Sequence, residues 1–159
     1  MRSVAVFALG IVVGAAVQSG FAQQGRIVGL NHVAVSVEDY EGARRFYGTQ
    51  MGFREAFSFR TPEGDPYFTY FQISKDTFVE VMQATPARPV GCPHFGLEVE
   101  HLEAVVDQLK ARGVEIRPIS VSPRTAARSA VVNGPGGVNM ELLELGPRSL
   151  HRKVMDSWK

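Results

Sequence analysis

Two imidazoles and two carboxylates stand in this chain as one pair written twice, His32 with Glu80 and His94 with Glu141. The first pair is 48 residues apart and the second 47. Each histidine opens a β-branched-rich or apolar segment, each glutamate sits in a later apolar segment, and a helical pattern lies between. Two neutral imidazoles and two carboxylates form a fitting ligand set for a divalent ion such as Zn, Ni, Mn or Fe. A glutamate in an apolar strand is costly unless it is paired or metal-bound. Self-similarity at this period implies a duplicated module whose halves bring equivalent residues to one axis.

The elements that must position these residues follow the same order twice. Val33, Val35 and Val37 alternate with His32, Ala34 and Ser36 through a strand over 27–37. Asp39 is an N-cap for a helix reaching Gln50, with Gly52 as its stop. Strands over 53–59, 67–73 and 77–82 follow, the first two separated by the turn 61–66. After a connector over 84–93 the order restarts: a strand over 94–99, a helix over 102–112 stopped by Gly113, then strands over 114–118, 129–133 and 138–145. The fold class is α+β, two βαβββ modules over 27–83 and 93–145, with a tail over 146–159. Strand alternation puts His32 on a face with Ala34 and Ser36, Glu80 with Phe78 and Met82, and Glu141 with Asn139 and Leu143.

Composition excludes several function classes. Seventeen basic against sixteen acidic residues create no field for nucleic acid or anionic membrane, and no basic run is interleaved with aromatics. Cys92 is the one cysteine, so no internal disulfide forms. It stands two residues before His94, where a soft-ligand or redox role is weighed against that of an inert core thiol. His101 and His151 are expected in solvent. Arg124 and Arg128 flank the loop before the seventh strand, where they suit either the surface or an anionic substrate.

The first residues belong to a different design. A basic start at Arg2, an apolar run over 4–17, and Gly20-Phe21-Ala22 before Gln23-Gln24 have the order of a secretory signal. The run is shorter than the roughly 20 residues of a membrane span. Residues 1–22 are therefore expected to be removed on export to a periplasmic or extracellular space, leaving 137 residues in a single domain with no membrane attachment.

The motifs His32-x-Ala-Val-x-Val, Phe46-Tyr47…Gly52-Phe53, His94-Phe-Gly-Leu-Glu-Val and Gly134-Pro135-Gly136-Gly137…Met140-Glu141-Leu142 resemble the vicinal oxygen chelate superfamily. That family contains glyoxalase I, methylmalonyl-CoA epimerase, extradiol dioxygenases and fosfomycin or bleomycin resistance proteins. The resemblance spans about residues 27–145. It implies paired modules forming an open barrel-like sheet around one metal cleft, with His32, Glu80, His94 and Glu141 as ligands. A glutamate at the place of Glu80 is similar to glyoxalase I, which implies a metal-dependent lyase or isomerase that stabilises an enediolate of a small vicinal-oxygen substrate. Glu80 and Glu141 are then the candidate catalytic residues, one of them serving as base. Two positions depart from the glyoxalase pattern. Ser36 and Ala84 stand where bacterial glyoxalase I carries an arginine and an asparagine for glutathione. The resemblance also implies a homodimer. An Fe(II) extradiol-type dioxygenase and a non-catalytic small-molecule binding or resistance protein are the competing readings.

Overall fold

The computed structural model describes residues 25–159, so the expected leader over 1–22 lies outside the described residues. One eight-stranded sheet holds both modules. The first contributes β1 (Arg26–Val37), β2 (Arg54–Arg60), β3 (Pro66–Gln72) and β4 (Phe78–Gln83). The second contributes β5 (His94–Glu100), β6 (Ser120–Val121), β7 (Arg128–Asn133) and β8 (Asn139–Glu144). Their order is β2-β3-β4-β1-β5-β8-β7-β6. Each module's first strand runs parallel to its last, β1 with β4 and β5 with β8. The antiparallel pair β1–β5 joins the halves at the centre. With β2 and β6 as its edges, the sheet is not closed into a barrel.

Among the described residues three α-helices accompany the sheet: α1 (Tyr40–Arg44), α2 (Leu102–Ala111) and α3 (Leu150–Asp156). The first two cover one face of the sheet. Tyr40, Ala43 and Tyr47 pack with Val35, Val37, Phe71, Val79 and Val81 in the first module. Leu102, Val105 and Val106 pack with Val99, Ala130, Val132 and Leu142 in the second. Strand alternation sends the intervening residues His32, Ala34, Glu80 and Met82 to the opposite face, where they are buried. There α3 docks through Met155, beside Tyr70, Phe78, Leu143 and Leu145.

Several local expectations are corrected. The first helix begins as forecast, with Asp39 accepting from the amide of Gly42 at 2.8 Å, but over Arg45–Gln50 it widens into a π-helical turn. The strand expected over 114–118 is reduced to one bridge, Ile116 to Val132, and the paired segment starts at Ser120. Pro118 lacks the amide a ladder needs, which delays the pairing. The tail is a helix capped by Ser149, whose hydroxyl accepts from the Arg152 amide. Its fully buried stripe is His151 and Met155, one position round from the Leu150, Val154, Trp158 spacing.

Candidate metal centre

Strand register explains how residues so far apart in sequence meet. In β1–β4, Glu80 lies opposite Ala34, two residues beyond His32. In β5–β8, Glu141 lies opposite Gly96, two residues beyond His94. The two modules therefore deliver the same histidine–glutamate diagonal, and β1–β5 pairing sets the two diagonals side by side. His32 faces Gly96 in that central pair. A Cβ on Gly96 would come within 2.3 Å of the His32 ring, so the close approach depends on glycine.

All four side chains converge. Oε2 of Glu80 is 3.2 Å from Nε2 of His32 and 3.3 Å from Nε2 of His94. Oε2 of Glu141 is 3.7 Å and 3.9 Å from the same two nitrogens. Bonds of about 2.0–2.1 Å to a tetrahedrally bound ion imply donor–donor edges of roughly 3.3 Å. The Glu80 separations are of this size, and those of Glu141 run somewhat longer. His32, His94 and Glu141 by themselves offer donor atoms that all lie within 4.8 Å of one another.

The surroundings orient the donors. An extra residue in β1 against β5, between Leu30 and His32, lets Asn31 and His32 both turn inward. Asn31 Oδ1 lies 3.0 Å from His32 Nδ1 and fixes the ring proton there. Nε2 of His32 is then a buried lone pair with no hydrogen-bond partner, aimed at a carboxylate oxygen. Two such acceptors attract each other only with a cation between them. The residues present therefore fit a divalent metal. Tyr70, opposite Glu80 in β3–β4, donates its hydroxyl to Glu80 Oε2 at 2.7 Å.

Burial and charge divide the titrations. Burial holds His32 down to about 4, against the pull of the Glu80 carboxylate, so it is a neutral donor at physiological pH. Burial acts against His94 too, but its hydrogen bond to Glu80 and the charges of Glu80 and Glu141 raise its pKa. Burial opposes the charge on Glu80, yet His94, His32 and Tyr70 keep its pKa below the ordinary value. Burial raises Glu141, more than the His94 imidazole lowers it.

Other histidine and thiol expectations divide. Cys92 is exposed and outside the cluster, neither core thiol nor donor. His101 is exposed as expected. His151 is not in solvent but 1 % exposed, its ring stacked 6.2 Å from that of His32 and packed edge-on to Tyr70. Docking of α3 puts it there, tied by Leu150 N to Thr125 O at 2.9 Å and Arg152 to Glu98 at 2.6 Å. Arg128 is occupied by Glu103 and Glu144.

A cleft of about 360 Å³ opens onto the cluster, with Glu80, His94, Glu141 and His151 in its wall and Arg88 and Arg124 beside them. A wider hollow of about 720 Å³ lies beside the first half of β1 and contains none of the four donor residues.

Residues 29–142 match the model of the Glyoxalase/Bleomycin resistance protein/Dioxygenase superfamily. The chain is 25% identical over 122 residues to the uncharacterized proteins YwkD of Bacillus subtilis and YaeR of Escherichia coli, covering 72% of this chain and 95% of each. Among solved structures it is similar to methylmalonyl-CoA epimerase from Mycobacterium tuberculosis, with a TM-score of 0.63, 20% identity, and coverage of 77% of this chain and 91% of that one. Streptomyces coelicolor methylmalonyl-CoA epimerase in complex with 2-nitronate-propionyl-CoA gives a TM-score of 0.64 at 14% identity, covering 78% and 99%. At these identities the structural likeness speaks for the fold.

Proposed function

Because the chain belongs to the Glyoxalase/Bleomycin resistance protein/Dioxygenase superfamily, we propose that it is a metal-dependent lyase or isomerase of the glyoxalase I type. The observation that carries this reading is Glu80, a 2 % exposed carboxylate whose Oε2 stands between the Nε2 atoms of His32 and His94. A fourth protein donor at that place suits proton transfer by a Lewis acid, with His32, Glu80, His94 and Glu141 holding the ion. When bound, a divalent ion would polarise neighbouring substrate oxygens and stabilise the negative charge left by a departing C–H proton.

The chain's own groups supply the rest. His32 is held neutral and aimed by Asn31. Tyr70 fixes one oxygen of Glu80. Glu141 is the more accessible carboxylate, and burial raises its pKa toward the range of a working general base. It is the better placed of the two glutamates to take the substrate proton. Phe68, Leu143 and His151 line one side of the cleft. Ser36, where the glyoxalase pattern has its glutathione arginine, is buried and bonds the carbonyl of Arg88 at 3.1 Å. That supports a substrate smaller than a glutathione adduct.

The Fe(II) dioxygenase reading keeps one specific support, the two-histidine, one-carboxylate group of His32, His94 and Glu141. Glu80→Gln separates the two. On the isomerase reading the variant folds but holds substoichiometric metal, and exchanges the α-proton of an α-keto aldehyde or α-hydroxy ketone for deuterium at least about tenfold more slowly. Unchanged metal content together with oxygen uptake on a catechol would transfer the assignment to the dioxygenase.

A further inference from the structure

Two arginines at the cleft have no carboxylate partner among the described residues. Arg124 sits on the loop before β7, a loop closed by Ser122 N to Ala127 O at 2.8 Å and Ala126 N to Ser122 O at 2.9 Å. Its guanidinium carbon lies 5.8 Å from the ring centre of Phe59 and 5.6 Å from that of Tyr67. Phe59 and Tyr67 come from β2 and β3, so Arg124 reaches from the second module onto the first. Stacking of this kind holds the planar cation in place and leaves its edge N–H groups free to donate. Arg88, on the connector between modules, spends one N–H on the Gln83 carbonyl at 2.8 Å, while its Nε is buried without a partner. Both line the same cleft as Glu80, His94 and Glu141.

The balance of charge there favours a particular ligand. Glu80 and Glu141 offset Arg88 and Arg124, so a divalent ion would leave the cleft two charges positive. Arg128 shows the alternative fate of an arginine near this loop, since it is consumed by Glu103 and Glu144. Planar, forked donors left open beside a charged centre match a carboxylate. Resting on the metal-site reading above, we propose that the substrate carries a carboxylate remote from its vicinal oxygens, bound by Arg124 with Arg88. The class is a small acid that presents its vicinal oxygens to the metal site and its free carboxylate to the loop before β7. The cleft volume suits such a molecule, being at the lower end of small-ligand pockets.

Calorimetry on the manganese-loaded protein tests this with four probes. α-Ketoglutarate and α-ketoadipate share their vicinal carbonyl and carboxylate with α-ketovalerate and α-ketocaproate, and differ in the added remote carboxylate. The dicarboxylates should bind about tenfold more tightly or better. Arg124→Gln should remove most of that preference and Arg88→Gln part of it, with manganese content unchanged in both. Equal affinity for all four probes in the parent protein, or a preference that survives the double replacement, overturns the carboxylate subsite. If manganese is held and the four bind alike, only the subsite is lost. A protein that holds no manganese and shows no arginine-dependent preference loses the metal-site reading as well.

Discussion

His151 keeps both ring nitrogens buried without a hydrogen-bond partner. A buried polar atom left in that state costs about 1–3 kcal/mol. Burial first, then the neighbouring charge of His32, pushes its pKa down to about 3. In metal-free protein, His32 and His151 therefore act alike. Each has a folded pKa below 6.5, so the stability associated with its neutral form is intact above 6.5 and is lost as pH falls toward about 4 for His32 and about 3 for His151. His94 runs the other way: its raised pKa contributes stability that is complete below 6.5 and is lost as pH rises through its folded value. The His94 contribution is already complete below 6.5 and so does not offset the other two there, and the melting temperature of chelator-treated protein should fall between about pH 6.5 and pH 4. His151→Leu should raise stability at neutral pH by about 1–3 kcal/mol and flatten that fall, both read by calorimetric melting across pH. A variant with a lower melting temperature and an unchanged slope would show that His151 contributes through packing instead. The meeting of His32, Glu80, His94 and Glu141 was legible in the sequence because duplication repeats their spacing. The role of His151 was not, since the face a short terminal helix buries is decided by what it docks against.

Among the elements, the β1–β5 seam carries the most consequence for the site. It brings the His32–Glu80 and His94–Glu141 diagonals together, and it does so at Gly96. Gly96→Ala would place a methyl group 2.3 Å from His32 Cε1 and 2.8 Å from Leu143 Cδ1. Overpacking of this sort typically costs about 1–3 kcal/mol, and here the strain falls on the His32 ring of the proposed metal site. The variant should fold, melt lower and bind metal at least about tenfold more weakly; metal affinity equal to the parent's would show that His32 is not held by this seam. Strand positions could be read from two-residue alternation, and both helix stops from Gly52 and Gly113, which adopt φ of 71° and 82°. The inward Asn31, the π-helical turn over Arg45–Gln50 and the late start of β6 were not legible. Each depends on how the chain fits a neighbouring strand or helix, which no local pattern encodes.

For the whole molecule, we propose export with removal of residues 1–22, so mass spectrometry of the exported fraction should find Gln23 first; an intact Met1 in a cytosolic pool would count against it. We also propose a homodimer, because Ile27, Val28 and Leu30 stand about half exposed in the first part of β1 with Ile73 also exposed, a cluster that a second copy would cover. Sedimentation should give twice the chain mass, and Leu30→Asp should shift the equilibrium toward monomer. How the sites relate to such a dimer follows from β1–β5 pairing within one chain, which already assembles His32, Glu80, His94 and Glu141 without help from a partner. Each dimer should therefore hold two independent sites. Mixing His32→Ala chains with His94→Ala chains tests this, because every self-contained site then lacks one donor. With subunit exchange verified by tagged chains, metal binding and activity should stay absent at every ratio. If the modules instead exchanged between chains, one of the two sites in each mixed dimer would regain all four donors. Recovery approaching half the sites in a pure mixed dimer would place the β1–β5 seam between subunits.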